Sequence, residues 1–433
     1  MKGLRKYLTP FAPDQSGAVS VLYELGGMLV ICDAGGCTGN VCGFDEPRWF
    51  ETRSAVFSAG LRDMDAILGR DDRLVAKLAD AAEKLDVTFA AVIGTPVPAV
   101  IGTDYRALER MLSKKTDLSV LTVNTDGMEL YDKGEEKAYL ALFEKFSDKN
   151  EESEDMNDED RPRVGIIGMT PQDVSDLKAA EKIRKLYADQ GLRAVCYGMG
   201  DGLDEVRNAS LAAKNVVVSP AALKAAQYLQ KKFGTPYEIA YPLASELVPE
   251  VNYQGKKILI VQQQVITNAV RKEIEKRTGE KEAITTATWF MRKEEILTDL
   301  NVDAADDISL KEEDDFISLV EKEGYDVIFA DPCMERMIPG FEGVFIPLTH
   351  FAVSVQKSLI SSSDSSYFQS FTQCCTNNGT DCCVHSRSIS TTCQYTYCTN
   401  YFFVCHDSFL HCISLFQLSF NHYHFSPMIL YMN

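Results

Sequence analysis

The sequence predicts an α/β protein made of three doubly wound domains with parallel sheets, and three observations carry that expectation. Short apolar runs such as MLVIC, FAAVIG, RVGIIG and KILIV alternate with stretches of helical spacing. That is the βα pattern of a parallel sheet covered by helices. The alternation restarts twice, once after an acidic block and once at GKKILIVQQQ, and each restart opens on an apolar strand.

The elements follow in order. In the first unit (residues 1–150), SGAVSVLYEL reads as a helix and GGMLVICDAGG as a buried strand feeding a loop. AILGRDDRLVAKLADAAEKL has helical spacing, FAAVIGT is a strand, TDYRALERMLSKK a helix and LSVLTVNT a strand. Seven acids lie between Glu151 and Asp160. A like-charge block of this kind reads as a solvated linker, so a boundary is expected over 151–163. The second unit (164–250) runs through RVGIIGMT, DLKAAEKIRKLYADQG, RAVCYGMG and LAAKNVVVSP. Its helix SPAALKAAQYLQKKFG closes on Gly234, a residue type suited to a left-handed C-terminus. The third (251–354) holds GKKILIVQQQ, NAVRKEIEKRTG, YDVIFADP and GVFIPLTHF, and reads as truncated.

From Val355 onward the composition changes to Ser, Cys, Phe and Tyr, with no Glu and no persistent period. Residues 355–433 read as a disordered or frame-shifted tail. A Cys/His-rich metal module is the alternative, but its spacings fit no zinc site well.

Charge and residue counts exclude several functions. The formal net charge of −19 disfavours nucleic acid and anionic membrane surfaces, which would repel the chain. MKGLRKYLTPFAPDQSG has no apolar core of a secretory signal, and no run of eighteen apolar residues occurs. A cytoplasmic location is expected, where thiols stay reduced. All six histidines lie at or beyond His350, so residues 1–349 contain none. Imidazole bases and ligands are thereby excluded from that part of the chain. No G-x-x-x-x-G-K-[ST] occurs, so ATP binding through a P-loop is not expected.

The densest chemistry is a C-x4-C-x4-C series of Cys32, Cys37 and Cys42, in a loop that fits neither an ordinary strand nor an ordinary helix. Cys32 ends an apolar strand and reads as a core residue. Cys37 is flanked by Gly35, Gly36 and Gly39, which let backbone approach a bulky ligand closely. A glycine-flanked cysteine at the carboxyl end of a parallel strand suits an iron–sulfur cluster, with thiolates on iron and backbone N–H groups near sulfide. Cys37 and Cys42 are the metal-ligand candidates, and Gly35, Gly36 and Gly39 line the cofactor. The remaining ligands of a [4Fe–4S] cluster would come from Cys196, Cys333, a carboxylate such as Asp45, or another subunit. Asp45, Glu46 and Arg48, with Trp49, read as a solvated patch facing a partner. CYGMGDGLDE (196–205) reads as a plain strand-to-helix turn, because its glycines miss the dinucleotide spacing. Cys333 reads as a structural thiol.

Residues 10–354 resemble component 1 of nitrogenase and its relatives, a family that includes cofactor-assembly scaffolds and protochlorophyllide reductase subunits. The stretches that carry the resemblance are SGAVSVLYELGGMLVICDAGGC, FSAGLRDMDAILGRDDRL, VIGTPVPAVIGTDY, GIIGMTPQDVSDL, NVVVSP, FGTPYE and YDVIFADP. The resemblance implies three Rossmann-like domains, a metallocluster between subunits, a sister component-1-like subunit, and a separate P-loop Fe–S reductase as electron donor. It also implies three cluster cysteines per chain. One matches Cys37, but Phe11 and Pro96 stand where the other two would fall. The resemblance therefore implies a smaller intersubunit cluster held by Cys37, with Cys42 as a substitute ligand. The function expected is an oxidoreductase subunit that accepts electrons for reduction of an unknown substrate. The alternatives are a cluster-assembly scaffold and a cluster-free structural partner.

Overall fold

The computed structural model describes residues 5–52, 54–148, 161–279 and 283–354. The acidic block and the tail lie outside the described residues, save that Arg163, expected as the linker's last residue, opens a strand.

Three parallel sheets form. The first contains β1 (Met28–Ile31), β2 (Ala55–Ser58), β3 (Phe89–Ile93) and β4 (Ser119–Val123), in the order β2-β1-β3-β4. The second contains β5 (Arg163–Ile167), β6 (Arg193–Tyr197), β7 (Ala212–Val217) and β8 (Tyr237–Ile239), in the order β6-β5-β7-β8. The third has β9 (Lys257–Val261), β10 (Ala283–Thr288), β11 (Asp307–Ser309), β12 (Val327–Ala330) and β13 (Val344–Pro347), in the order β11-β10-β9-β12-β13. Every pair within the sheets is parallel. The central strands β1, β3 and β12 are buried along their whole length, which is why they read as unbroken apolar runs rather than alternating ones. The fold is therefore three Rossmann-like units. In each, strand order reverses beside the first strand, and the crevice at that reversal opens at the strands' carboxyl ends.

Two expectations change. The single helix expected over 66–85 is two, Asp63–Leu68 and Asp71–Ala82, because Gly69 takes φ +60 and ends the first. The thiol loop is helical rather than irregular: Gly36–Asn40 is an α-turn continued by a π-turn at Val41–Asp45. Only Gly35 needs glycine's freedom there, at φ +116.

The helix Tyr131–Phe146 ties the units together. It packs on the helix Asp14–Leu22, all nine residues of which are buried. The two backbones touch. A Cβ on Gly17 would stand 2.0 Å from the Tyr131 carbonyl oxygen, and one on Gly134 would stand 1.7 Å from that of Asp14. On its other side the Tyr139 hydroxyl donates to the Tyr197 carbonyl at 3.0 Å, and Phe143 meets the Tyr197 ring edge-on. Glu136 pairs with Lys224 of the second unit at 2.7 Å and with Lys293 of the third. Among the described residues no helix is long and apolar enough to cross a membrane.

Because neither backbone can retreat from a fully packed core, Gly134→Ala is expected to cost about 2 kcal/mol or more in urea unfolding. A loss below about 0.5 kcal/mol would mean the helices can separate at little cost.

Candidate functional site

Asp33 organises the thiol loop. It directly follows Cys32 at the carboxyl end of β1 and is almost fully buried. Its carboxylate accepts from the Thr38 amide at 2.7 Å, the Thr38 hydroxyl at 3.0 Å and the Ser58 hydroxyl at 2.6 Å. Those bonds hold the first turn after Gly35 against β2 and satisfy an amide that a short helix leaves without a partner. Thr95, after β3, closes the other side by donating to the Cys32 carbonyl at 2.6 Å. The loop thus sits where strand order reverses in the first sheet.

Cys37 and Cys42 are both half-buried on this loop, whereas Cys32 is buried in the core between sheet and helices, as its place at the end of an apolar strand predicts. Burial pushes the Cys37 thiol up to about 12, Asp33 adds to the shift, and a hydrogen bond with Thr95 opposes it. Burial likewise pushes Cys42 up to about 12, with Glu46 and Asp33 adding to it. The two thiols therefore share one negative surrounding and hold their protons at neutral pH. A bound cation would reverse this, because ligation requires the thiolate and expels the proton. Around Gly39 and Gly43 an added Cβ would meet nothing within 4 Å, so the loop's outer face is open. Gly36 lies buried within the helical turn.

The DEPRW segment corrects an expectation. Asp45, Glu46 and Arg48 form a buried clamp rather than a solvated patch. Arg48 Nε and Nη2 donate to the two Glu46 carboxylate oxygens at 2.7 and 2.8 Å. Nη1 reaches Glu24 and the Gly198 carbonyl, both at 2.9 Å, and Nη2 reaches the Ser20 carbonyl at 2.6 Å. Burial disfavours the guanidinium charge, but Glu46 and Glu24 more than offset it. One side chain thereby joins the thiol loop, the helix Asp14–Leu22 and the β6 turn of the second unit. Asp45 accepts from Ser16 at 2.7 Å and Asn40 at 2.6 Å, so its carboxylate is engaged within the loop.

The other thiols are scattered. Cys196 is buried on β6, where its amide donates to Asp201, and CYGMGDGLDE forms the expected strand-to-helix turn. Cys333 is half-buried after β12 in the third unit. Phe11 packs against Trp289 and Phe290 with tilted rings, and the Arg5 guanidinium lies 3.6 Å from its ring centre. Pro96 opens the helix Pro96–Ile101. Neither position offers a donor atom. Among the described residues, the one group of three His, Cys, Asp or Glu with ligand atoms within 4.8 Å of one another is Asp14, Asp126 and Glu129. Lys137 already pairs with two of the three, 2.6 Å from Glu129 and 3.6 Å from Asp14.

The class defined by this fold and loop is a three-unit α/β protein carrying two half-buried thiols at the switch point of its first sheet. Residues 14–243 match the family described as nitrogenase component 1 type oxidoreductase, and the chain belongs to that family. Two solved structures titled "Nitrogenase Cp1", at pH 6.5 and at pH 5, share the fold. The first superposes with a TM-score of 0.60 at 12% identity, over 83% of this chain and 89% of that one. The second does so with a TM-score of 0.59 at 14% identity, over 83% and 88%. No curated protein matches the chain closely in sequence.

Two outcomes are expected. With thiols held near 12, metal-free protein should react with iodoacetamide at pH 8 at least about tenfold more slowly at Cys37 and Cys42 than an unperturbed thiol does. Equal rates would show that the loop opens freely. Arg48→Met leaves two carboxylates without their cation and should cost about 3 kcal/mol in urea unfolding. Arg48→Lys should recover little, lacking the planar fork that bridges both oxygens of Glu46.

Proposed function

We propose that this chain is an oxidoreductase subunit that shares an iron–sulfur cluster with a sister chain, through Cys37 and Cys42. The observation that carries the reading is that both half-buried thiols stand on one loop, tied down by buried side chains, at the strand-reversal crevice. The donor set fits a cluster in part. Two thiols per chain supply half the ligands of a [4Fe–4S] centre, and a contacting chain supplies the rest. Cys196 and Cys333 stand in other units, and Phe11 and Pro96 hold no donor. Such a cluster, when bound, supplies one-electron storage. The chain's own part is to orient the thiols through Asp33 and Arg48, to exclude water from behind the loop and to release the thiol protons.

A contact surface beside the loop supports the sister chain. The neighbouring helices Asp63–Leu68 and Pro96–Ile101 expose Met64, Ile67, Leu68, Val100 and Ile101, and Phe50 is exposed just past the clamp. Contiguous exposed apolar side chains of this kind mark a protein contact. Electrons would arrive from a separate ATP-dependent Fe–S reductase, since the sequence carries no P-loop of its own. The location is cytoplasmic in this reading. A second reading, a cluster-free structural partner, is favoured by Phe11, whose aromatic cage fills a position where a ligand would otherwise stand.

Anaerobic co-purification with the sister chain, followed by iron and acid-labile sulfide assays, separates the two. The cluster reading expects both elements in the wild type and a loss of most of each in Cys37→Ala and in Cys42→Ala. Iron content unaffected by either substitution would overturn the assignment of the loop. An iron-free wild-type complex would establish the second reading.

A further inference from the structure

The three sheet units meet at a buried polar knot to which each contributes. Tyr131, opening the long helix, donates its phenol proton to Asp173 Oδ1 at 2.5 Å and lies 2.7 Å from His350 Nε2. Asp173 belongs to the loop after β5, and His350 to the segment after β13, where its amide donates to Asp331 at 3.0 Å. With the phenol proton given to Asp173, the contact to His350 requires the imidazole to carry its proton on Nε2. Gln262 stitches the same place by donating to the carbonyls of Asp173 at 3.0 Å and Thr349 at 3.3 Å.

One turn along the same helix face stands Glu135, with no exposed surface. One of its oxygens accepts from Thr170 at 2.5 Å, and among the described residues the other has no hydrogen-bond partner. The groups around it carry mostly the wrong sign for an ionised carboxylate. Its own helix presents Tyr131, Asp132 and Tyr139, and the loop after β5 presents Asp173. The cation that acts on it, Arg48 of the thiol-loop segment, is committed to Glu46 and Glu24. Lys224 and Lys293 are held by Glu136, and Lys137 by Glu129 and Asp14 of the first helix. His350 stands beyond Tyr131 at 3.3 Å from Asp173.

We propose that this junction is a proton-operated latch: it is closed while Glu135 is protonated, and ionisation of Glu135 loosens the third unit's last segment from the other two. An ionised carboxylate here would have one bare oxygen in an apolar, negatively charged site, a cost relieved by letting water in. Burial and the nearby acids raise Glu135 well above its ordinary value, and burial raises Asp132 to about 6. The sign follows. A carboxyl that holds its proton more tightly in the closed form stabilises it at low pH, and that contribution disappears as pH rises through the raised value. The junction is therefore tightest in mild acid and opens towards alkaline pH. It releases the segment 348–354, through which the chain leaves the third sheet.

Hydrogen exchange of the full chain, corrected for intrinsic pH dependence, tests this between pH 5.5 and 8.5. Opening of segments 170–175 and 348–354 should increase at least about tenfold across that range, while β1 and β3 stay protected. In Glu135→Gln, which keeps the shape without the charge, the increase should fall to about threefold or less, the part left to Asp132. A wild-type profile flat with pH would overturn the proposal and needs no variant. So would a Glu135→Gln profile parallel to wild type, or a pH dependence that survives in Glu135→Gln and disappears in His350→Gln, since the imidazole would then carry it.

Discussion

Two helix backbones in direct contact set the arrangement of everything else. Gly17 and Gly134 let the helix Asp14–Leu22 and the helix Tyr131–Phe146 approach until carbonyl oxygens occupy the space that side chains would need. From that fixed line, Tyr131 and Glu135 point into the junction of the three units, while Tyr139 and Phe143 seat the second sheet. The first helix meanwhile supplies Ser16 and Ser20, and the turn after it Glu24, against which the thiol-loop segment is tied. A shift of either helix would move the loop and the junction together.

The thiol loop is rigid for a related reason. A short helical turn has little stability of its own, so tertiary bonds must hold it. Asp33 holds its start and Arg48 its end, and both are buried. The resulting site is electrostatically one-sided. Negative groups surround thiols that are hard to ionise, an environment that disfavours free thiolate. Reactivity towards small oxidants is suppressed by the same arrangement, because the thiolate is the reactive species.

Much of the fold was legible because parallel strands buried on both faces leave continuous apolar runs, as in MLVI and VIFA. Where that signal fails, so did the reading. The strand Ala55–Ser58 is half-buried, and the edge strands Tyr237–Ile239 and Asp307–Ser309 are three residues each, too short for a period to show. The helix Tyr131–Phe146 went unread because its buried face includes Asp132, Glu135 and Glu136, which hide an apolar stripe. Acids in sequence look solvated, and the same bias made Asp45, Glu46 and Arg48 look like surface. The i, i+2 spacing of Glu46 and Arg48 was the available sign of a bidentate pair. Cys37, Cys42 and Gly35 were visible from residue type alone. Asp33 and Thr95 were not, since their roles depend on strands brought together across the sheet. In the sequence His350 marks only the point before which no histidine occurs, and its partner Tyr131 lies in another unit, so the contact the fold makes between them has no local signal.

The central claim is that the loop bearing Cys37 and Cys42 meets iron at a contact between two chains. Anomalous scattering at the iron edge, from crystals of the two-chain complex grown without oxygen, measures this most directly. The account predicts an iron peak bonded to Sγ of Cys37 and Cys42 and shared with the neighbouring chain. A complex with the two chains in contact at this loop, both thiols ordered and no iron density between them, would contradict it.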